Sequence, residues 1–119
     1  MSWFNIIKGQ EEATDWFIEN WVKKVLVPNM TMGFDGTKMM YDYFNTPVYD
    51  RKQSTKEQID KVIEMKLEGG VDNPLSDIES GLLRDMEKAG HAIHEVDFEK
   101  AYEVYREEMY KVIENFNWE

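Results

Sequence analysis

The sequence predicts an all-α fold, a small bundle of about four main helices, on three observations. Apolar side chains recur with helical rather than alternating spacing. Breaks between the runs fall at glycine, proline and capping residues. The chain of 119 residues is 42% hydrophobic and 13% aromatic, too apolar to stay disordered and of a size that suits one domain over residues 1–119.

The first helix is expected from about Gln10 to Val27, with Thr14, Phe17, Ile18, Trp21 and Val25 on one face and Pro28 as its stop. Trp16 falls outside that stripe, so either another element packs on it or it is displayed to a partner. Residues 3–7, WFNII, dock as a short turn or arm that Ser2 would cap. Residues 29–53 are the irregular segment. Gly33, Gly36 and Pro47 punctuate it, Phe34-Asp35-Gly36-Thr37 reads as a turn, and Lys38–Phe44 as a short helix in preference to a hairpin strand.

A capping box, Ser54-Thr55-Lys56-Glu57, opens the next helix. Ile59, Val62, Ile63 and Leu67 form its buried stripe, and Gly69 and Gly70 end it. Asn73-Pro74 opens the third, with Leu75, Ile78, Leu82, Met86 and Ala89 on one face. Ile93 and Val96 stay in phase, so this helix is expected to run through Gly90. Phe98 lies about 140° out of phase with Leu75 at 100° per residue, which requires a break near Glu95–Asp97. Asp97 suits a cap for the last helix, and Val96 against Ala101 a staple. In that helix Phe98, Tyr102, Tyr105, Met109, Val112 and Phe116 fall within about 80° of one another, with Ala101 at the margin.

Charge narrows the function. The net charge is −10, from 24 acids and 14 bases. Residues 1–70 hold 11 acids and 9 bases; residues 71–119 hold 13 and 5. The C-terminal portion is therefore an acidic pole, and direct binding to nucleic acid or to an acidic membrane is disfavoured. There is no cysteine, hence no disulfide or thiolate chemistry. No apolar run approaches the ~18 residues needed to span a bilayer, and the N-terminus does not read as a secretory signal. A cytoplasmic protein is the expectation.

Glu99, Glu103, Glu107 and Glu114 form an acidic ridge opposite the last helix's apolar stripe. Like charges four apart oppose an isolated helix by ~0.2–0.5 kcal/mol per pair. Arg106 offsets Glu103 and Lys111 offsets Glu107. The residual repulsion fits either plain solubility or a face that meets a basic protein surface. Among aromatics, Trp16, Tyr43 and Tyr49 are the candidate binding anchors, and an exposed aromatic cluster within residues 34–49 would mark an interface.

Glu87, His91 and His94 are the nearest approach to a metal-ligand set, sharing a face if the third helix is continuous. No phosphate loop, nucleophile elbow or other catalytic motif accompanies them. The expectation is a small acidic binding or accessory protein without catalytic activity or cofactor. It would dock on a larger protein through the acidic face or the aromatics; a symmetric homodimer is also compatible with the surplus amphipathic surface. Two alternatives are a metal-dependent helical-bundle enzyme using Glu87, His91 and His94, and a nucleic-acid mimic. The latter needs denser acid than a ridge interleaved with Lys100, Arg106 and Lys111. The compact, Cys-free, acidic and aromatic-rich chain with its MSWFNII opening loosely resembles small bacteriophage-encoded proteins. That resemblance implies a viral accessory protein binding a host or virion component and assigns no residue a role.

Overall fold

The computed structural model describes residues 3–69 and 77–119. They form α1 (Trp3–Phe17), a π-helical stretch (Ile18–Leu26), α2 (Val27–Met32), α3 (Phe34–Tyr43), α4 (Val48–Gly69), α5 (Asp77–Lys88), a 3₁₀ turn (Ile93–Glu95) and α6 (Phe98–Asn115). Among the described residues there is no strand, and no helix is long and apolar enough to cross a membrane. The all-α bundle expected from the sequence is what the chain forms. Ser2, Gly70, Asn73, Pro74 and Leu75, expected to cap, end or line helices, lie outside the described residues.

Three rods carry the core. The first is the long N-terminal run, and it does not stop at Pro28. From Ile18 to Leu26 the hydrogen bonds reach five residues back, as the Val27 N–H does to the Val22 carbonyl. Pro28 falls where this pattern gives way to α2, in that helix's first turn. The wider coil also redirects the buried face: Val22 is fully enclosed beside Ile18 and Trp21, while Val25 is half-buried.

The second rod, α4, begins at Val48, six residues before the apparent capping box. Ser54 lies inside the helix, and Arg51 N–H already bonds the Pro47 carbonyl at 3.0 Å. Pro47 and the anchoring of Arg51, described below, set the start instead. Ile59 and Ile63 are buried as expected, Val62 is half-buried, and Leu67 is exposed. α3 likewise extends further back than expected. The supposed turn at Phe34–Thr37 is its first turn, with Phe34 only 3% exposed.

The third rod, α6, lies between the other two. Thr14, Phe17 and Phe34 meet Asp97, Tyr102 and Phe116 in turn, so α6 runs parallel to the N-terminal rod. Lys52 and Asp60 meet Glu114 and Arg106, so α4 runs antiparallel to it. Asp97 caps α6, accepting from the Lys100 N–H at 3.2 Å, and Val96 and Ala101 are both buried. The buried stripe is Ala101, Tyr102, Tyr105, Met109 and Ile113. Val112 and Phe116 are half-buried, and Ile113 takes the position expected of Val112.

α5 adds Leu82 and Met86 to the core but ends before Gly90. Gly90 has φ +86°, and two bonds close the helix end: Gly90 N–H to Glu87 carbonyl at 3.0 Å and His91 N–H to Met86 carbonyl at 3.0 Å. This pair is the Schellman arrangement, for which glycine pays no Cβ penalty. The expected continuation through Gly90 is thus overturned, and Ala89 is exposed.

Candidate interaction surface

The Gly90 stop removes the premise of the metal-ligand set. Glu87 sits on the last turn of α5, His91 after the left-handed residue, and His94 in the 3₁₀ turn. Among the described residues no three His, Asp or Glu side chains gather closely enough to hold a metal ion. His91 instead lies beside Trp16, with ring centroids 6.3 Å apart.

On α6, Glu99, Glu103, Glu107 and Glu114 are all exposed, but the ridge is partly neutralised. Arg106 reaches Glu103 at 2.7 Å, as the spacing suggested. Lys111 turns to Glu108 at 3.8 Å rather than to Glu107. Glu114 faces α4, where Lys56 and Lys52 bind it and hold its carboxyl below the usual carboxylate range, the hydrogen bond from Lys56 being the chief cause. Its task is joining α4 to α6. Of these four, Glu99 and Glu107 have no ion pair among the described residues.

A second polar cross-link had no counterpart in the sequence reading. Tyr110 Oη donates to Asp60 at 2.8 Å, and Arg106 Nε reaches the same carboxylate at 3.0 Å. Burial, then the bond to Asp60, raises the Tyr110 pKa, so the phenol stays a donor. Its partners lie some 50 residues away along the chain, a distance at which residue spacing carries no signal.

Of the candidate anchors, Trp16 is half-buried against the core and is not displayed. Trp118 is buried at 1% exposure beneath Phe34, Phe116 and Tyr41. Tyr43 and Tyr49 are exposed at 80% and 71%. Met39, Met40 and Phe44 join them at 72%, 62% and 68%, and the Tyr43 and Phe44 rings pack edge-to-face at 5.0 Å. These residues occupy the outer face of α3, the corner after it and the first turn of α4.

The local structure explains why this face looks outward. At 100° per residue, Phe34 and Tyr41 lie within about 20° of one another on α3, while Met39, Met40 and Tyr43 span about 100° on the other side. Phe34 is held by Phe116 and Trp118, and Tyr41 by Thr55, its hydroxyl 3.2 Å from the Thr55 hydroxyl. The corner is fixed by Arg51, 7% exposed, which donates to the Thr46 carbonyl at 2.7 Å, Asp42 at 2.6 Å and the Trp118 carbonyl at 2.6 Å. With one side of α3 pinned to the core, the apolar opposite side is committed to solvent. The sequence signalled an aromatic cluster within residues 34–49, Tyr43 and Tyr49 foremost and Phe44 with them, whereas Met39 and Met40 required knowing the helix phase.

Shallow cavities also open among the described residues. One of ≈260 Å³ lies between Leu26, Asn29, Met30, Val62, Lys66, Tyr102 and Tyr105. Burial alone pushes the Tyr105 phenol up to about 12. Another, ≈350 Å³, is an open groove on the back of α6 at Glu108, Lys111, Val112, Asn115 and Phe116. Neither brings a carboxylate pair or a nucleophile with its base together. Comparison with protein-family models, with curated proteins and with solved structures finds no match to this chain.

Proposed function

We propose that this chain is a small acidic binding protein that docks on a protein partner through the apolar face of α3 and the start of α4, and that it has no catalytic role. One observation carries the reading: five large apolar side chains from Met39 to Tyr49 stand 62–80% exposed, three on α3, whose other side is anchored, one at its C-cap and one on the first turn of α4. Contiguous exposed apolar area beyond a few hundred Å² is unusual on a monomer and marks contact sites. Methionine and aromatic side chains are the types enriched at such contacts. The acidic ridge supports a lesser role, because two of its four carboxylates are already paired.

The test is affinity capture from extract of the source cells with three tagged baits. These are the unaltered chain, a Tyr43→Glu/Phe44→Glu variant and a Glu99→Lys/Glu107→Lys variant. A saturable protein retained by the first and third and lost by the second is the expected result. Retention that depends on the ridge and ignores the apolar face would overturn the reading.

A further inference from the structure

We infer that the partner on this apolar face is a second copy of the chain, joined by an antiparallel contact of α3 with α3 about a two-fold axis near Met40. The inference rests on the docking reading above and names the occupant.

Three observations support it. The first is charge. Residues 29–53 hold three acids, Asp35, Asp42 and Asp50, and three bases, Lys38, Arg51 and Lys52. The segment that displays the apolar face is therefore neutral, and the whole net charge of −10 lies elsewhere. A basic partner would be drawn to the acidic pole. A like-charged copy is repelled there, and its own residues 29–53 add no net charge to the contact at α3.

The second is shape. α3 continues helically from the Thr37 N–H bonded to the Gly33 carbonyl to the Phe44 N–H bonded to the Met40 carbonyl, both at 3.1 Å. Gly36, Met40 and Phe44 thus form one row at four-residue spacing, a step of about 6 Å along the axis. A two-fold axis at Met40 sets Phe44 of each copy opposite Gly36 of the other. The two contacts are identical, as an isologous interface requires. A Cβ on Gly36 would meet nothing within 4 Å inside the chain. Glycine at this helical position serves no internal packing, yet leaves a hollow that a Phe ring from outside can enter.

The third is area. Aromatic side chains carry about 150–250 Å² each, so the exposed parts of Tyr43, Phe44 and Tyr49 alone offer about 330–550 Å². Met39 and Met40 flank them, and the face approaches the ~800 Å² per partner of a standard interface.

Sedimentation equilibrium of the purified chain from about 1 μM to about 1 mM tests this, the range in which modest interfaces dissociate. A reversible shift from 14.2 kDa to twice that mass is expected. Phe44→Glu and Gly36→Leu should each weaken the dimer by about 30-fold or more, the effect of losing an interface hot spot. Gly36→Leu replaces glycine by a better helix former, so its effect cannot come from unfolding. Glu107→Lys, on the ridge, should leave the constant within about threefold. A chain that stays monomeric throughout, or a dimer indifferent to both α3 variants, overturns the inference. If the monomer still captures a different protein through Tyr43 and Phe44, the docking reading survives; if it captures none, both fall.

Discussion

The guanidinium of Arg51 holds three segments at once: the end of α3 through Asp42, the corner through Thr46, and the C-terminus through Trp118. Asp42 remains half in solvent, so the loss on removing Arg51 falls mainly on the two carbonyls and the packing around Trp118. Arg51→Met should cost about 3 kcal/mol by urea denaturation, since bonds to a charged donor are worth ~1.5–3 kcal/mol each. A loss under 1 kcal/mol would mean that water replaces the guanidinium at no cost. Tyr105 makes the opposite case. It is 2% exposed, and burial alone acts on its phenol. Its pKa of about 12 in the fold exceeds the ordinary 10.0, so the neutral form is favoured on folding. Stability from this group is complete below pH ~10 and declines as pH rises towards 12. Tyr105→Phe should therefore leave stability near pH 7 within about 1 kcal/mol, remove the last tyrosinate absorbance step, and delay alkaline unfolding. An unchanged absorbance titration would show that Tyr105 ionises with the other tyrosines.

At the scale of elements, two glycines of opposite meaning separate local from tertiary control. Gly90 occupies φ +86° and closes α5. Alanine there should cost about 1 kcal/mol, because a Cβ disfavours the left-handed region. Gly36 lies inside α3 with open space around its missing Cβ. Alanine there should raise stability by about 0.5–1 kcal/mol when measured dilute enough to keep copies apart. Urea midpoints moving in the same direction for both would contradict this account. The same contrast shows how far the sequence could be read. The α6 stripe, the Asp97 cap and the Ile59/Ile63 face were legible because they follow from periodicity and capping within a few residues. Gly69, expected near the end of α4, is its last helical residue. The earlier start of α4 was not legible, because the capping box at Ser54 is a real local signal overridden by contacts of Arg51 with residues as far as Trp118. The π-helical stretch evaded a fixed angle of 100° per residue, which is why Val22 was missed. Of the candidate site, Tyr43 and Tyr49, and Phe44 with them, could be named from residue type. The exposure of Met39 and Met40 depends on which side of α3 the core claims, and Phe116 and Trp118, over seventy residues later, decide that.

The whole molecule is a slender body of 58 × 28 × 23 Å with a radius of gyration of 16.6 Å. A compact chain of this length would have about 13.5 Å. A rod of three helices leaves more surface per buried residue than a sphere, and its charge is divided along the sequence: the acidic pole follows residue 70, while residues 29–53 are neutral. This arrangement gives ionic strength a definite sign. Two copies approaching through α3 keep their neutral faces in contact, yet each carries −10 overall. At 0.01 M salt the Debye length is about 30 Å, longer than the rod is wide, so charges away from the contact still repel. At 0.1 M it falls to about 10 Å and that repulsion is screened. Self-association should therefore strengthen by about two- to fivefold over this range and then level off. Docking of the acidic ridge on a basic partner predicts the reverse, since screening removes the attraction that assembles it. Sedimentation in a salt series reads the sign directly. Dimerisation that weakens steadily as salt rises would place the contact on charged groups such as Glu99 and Glu107, and would remove the reason for assigning it to the neutral face of α3.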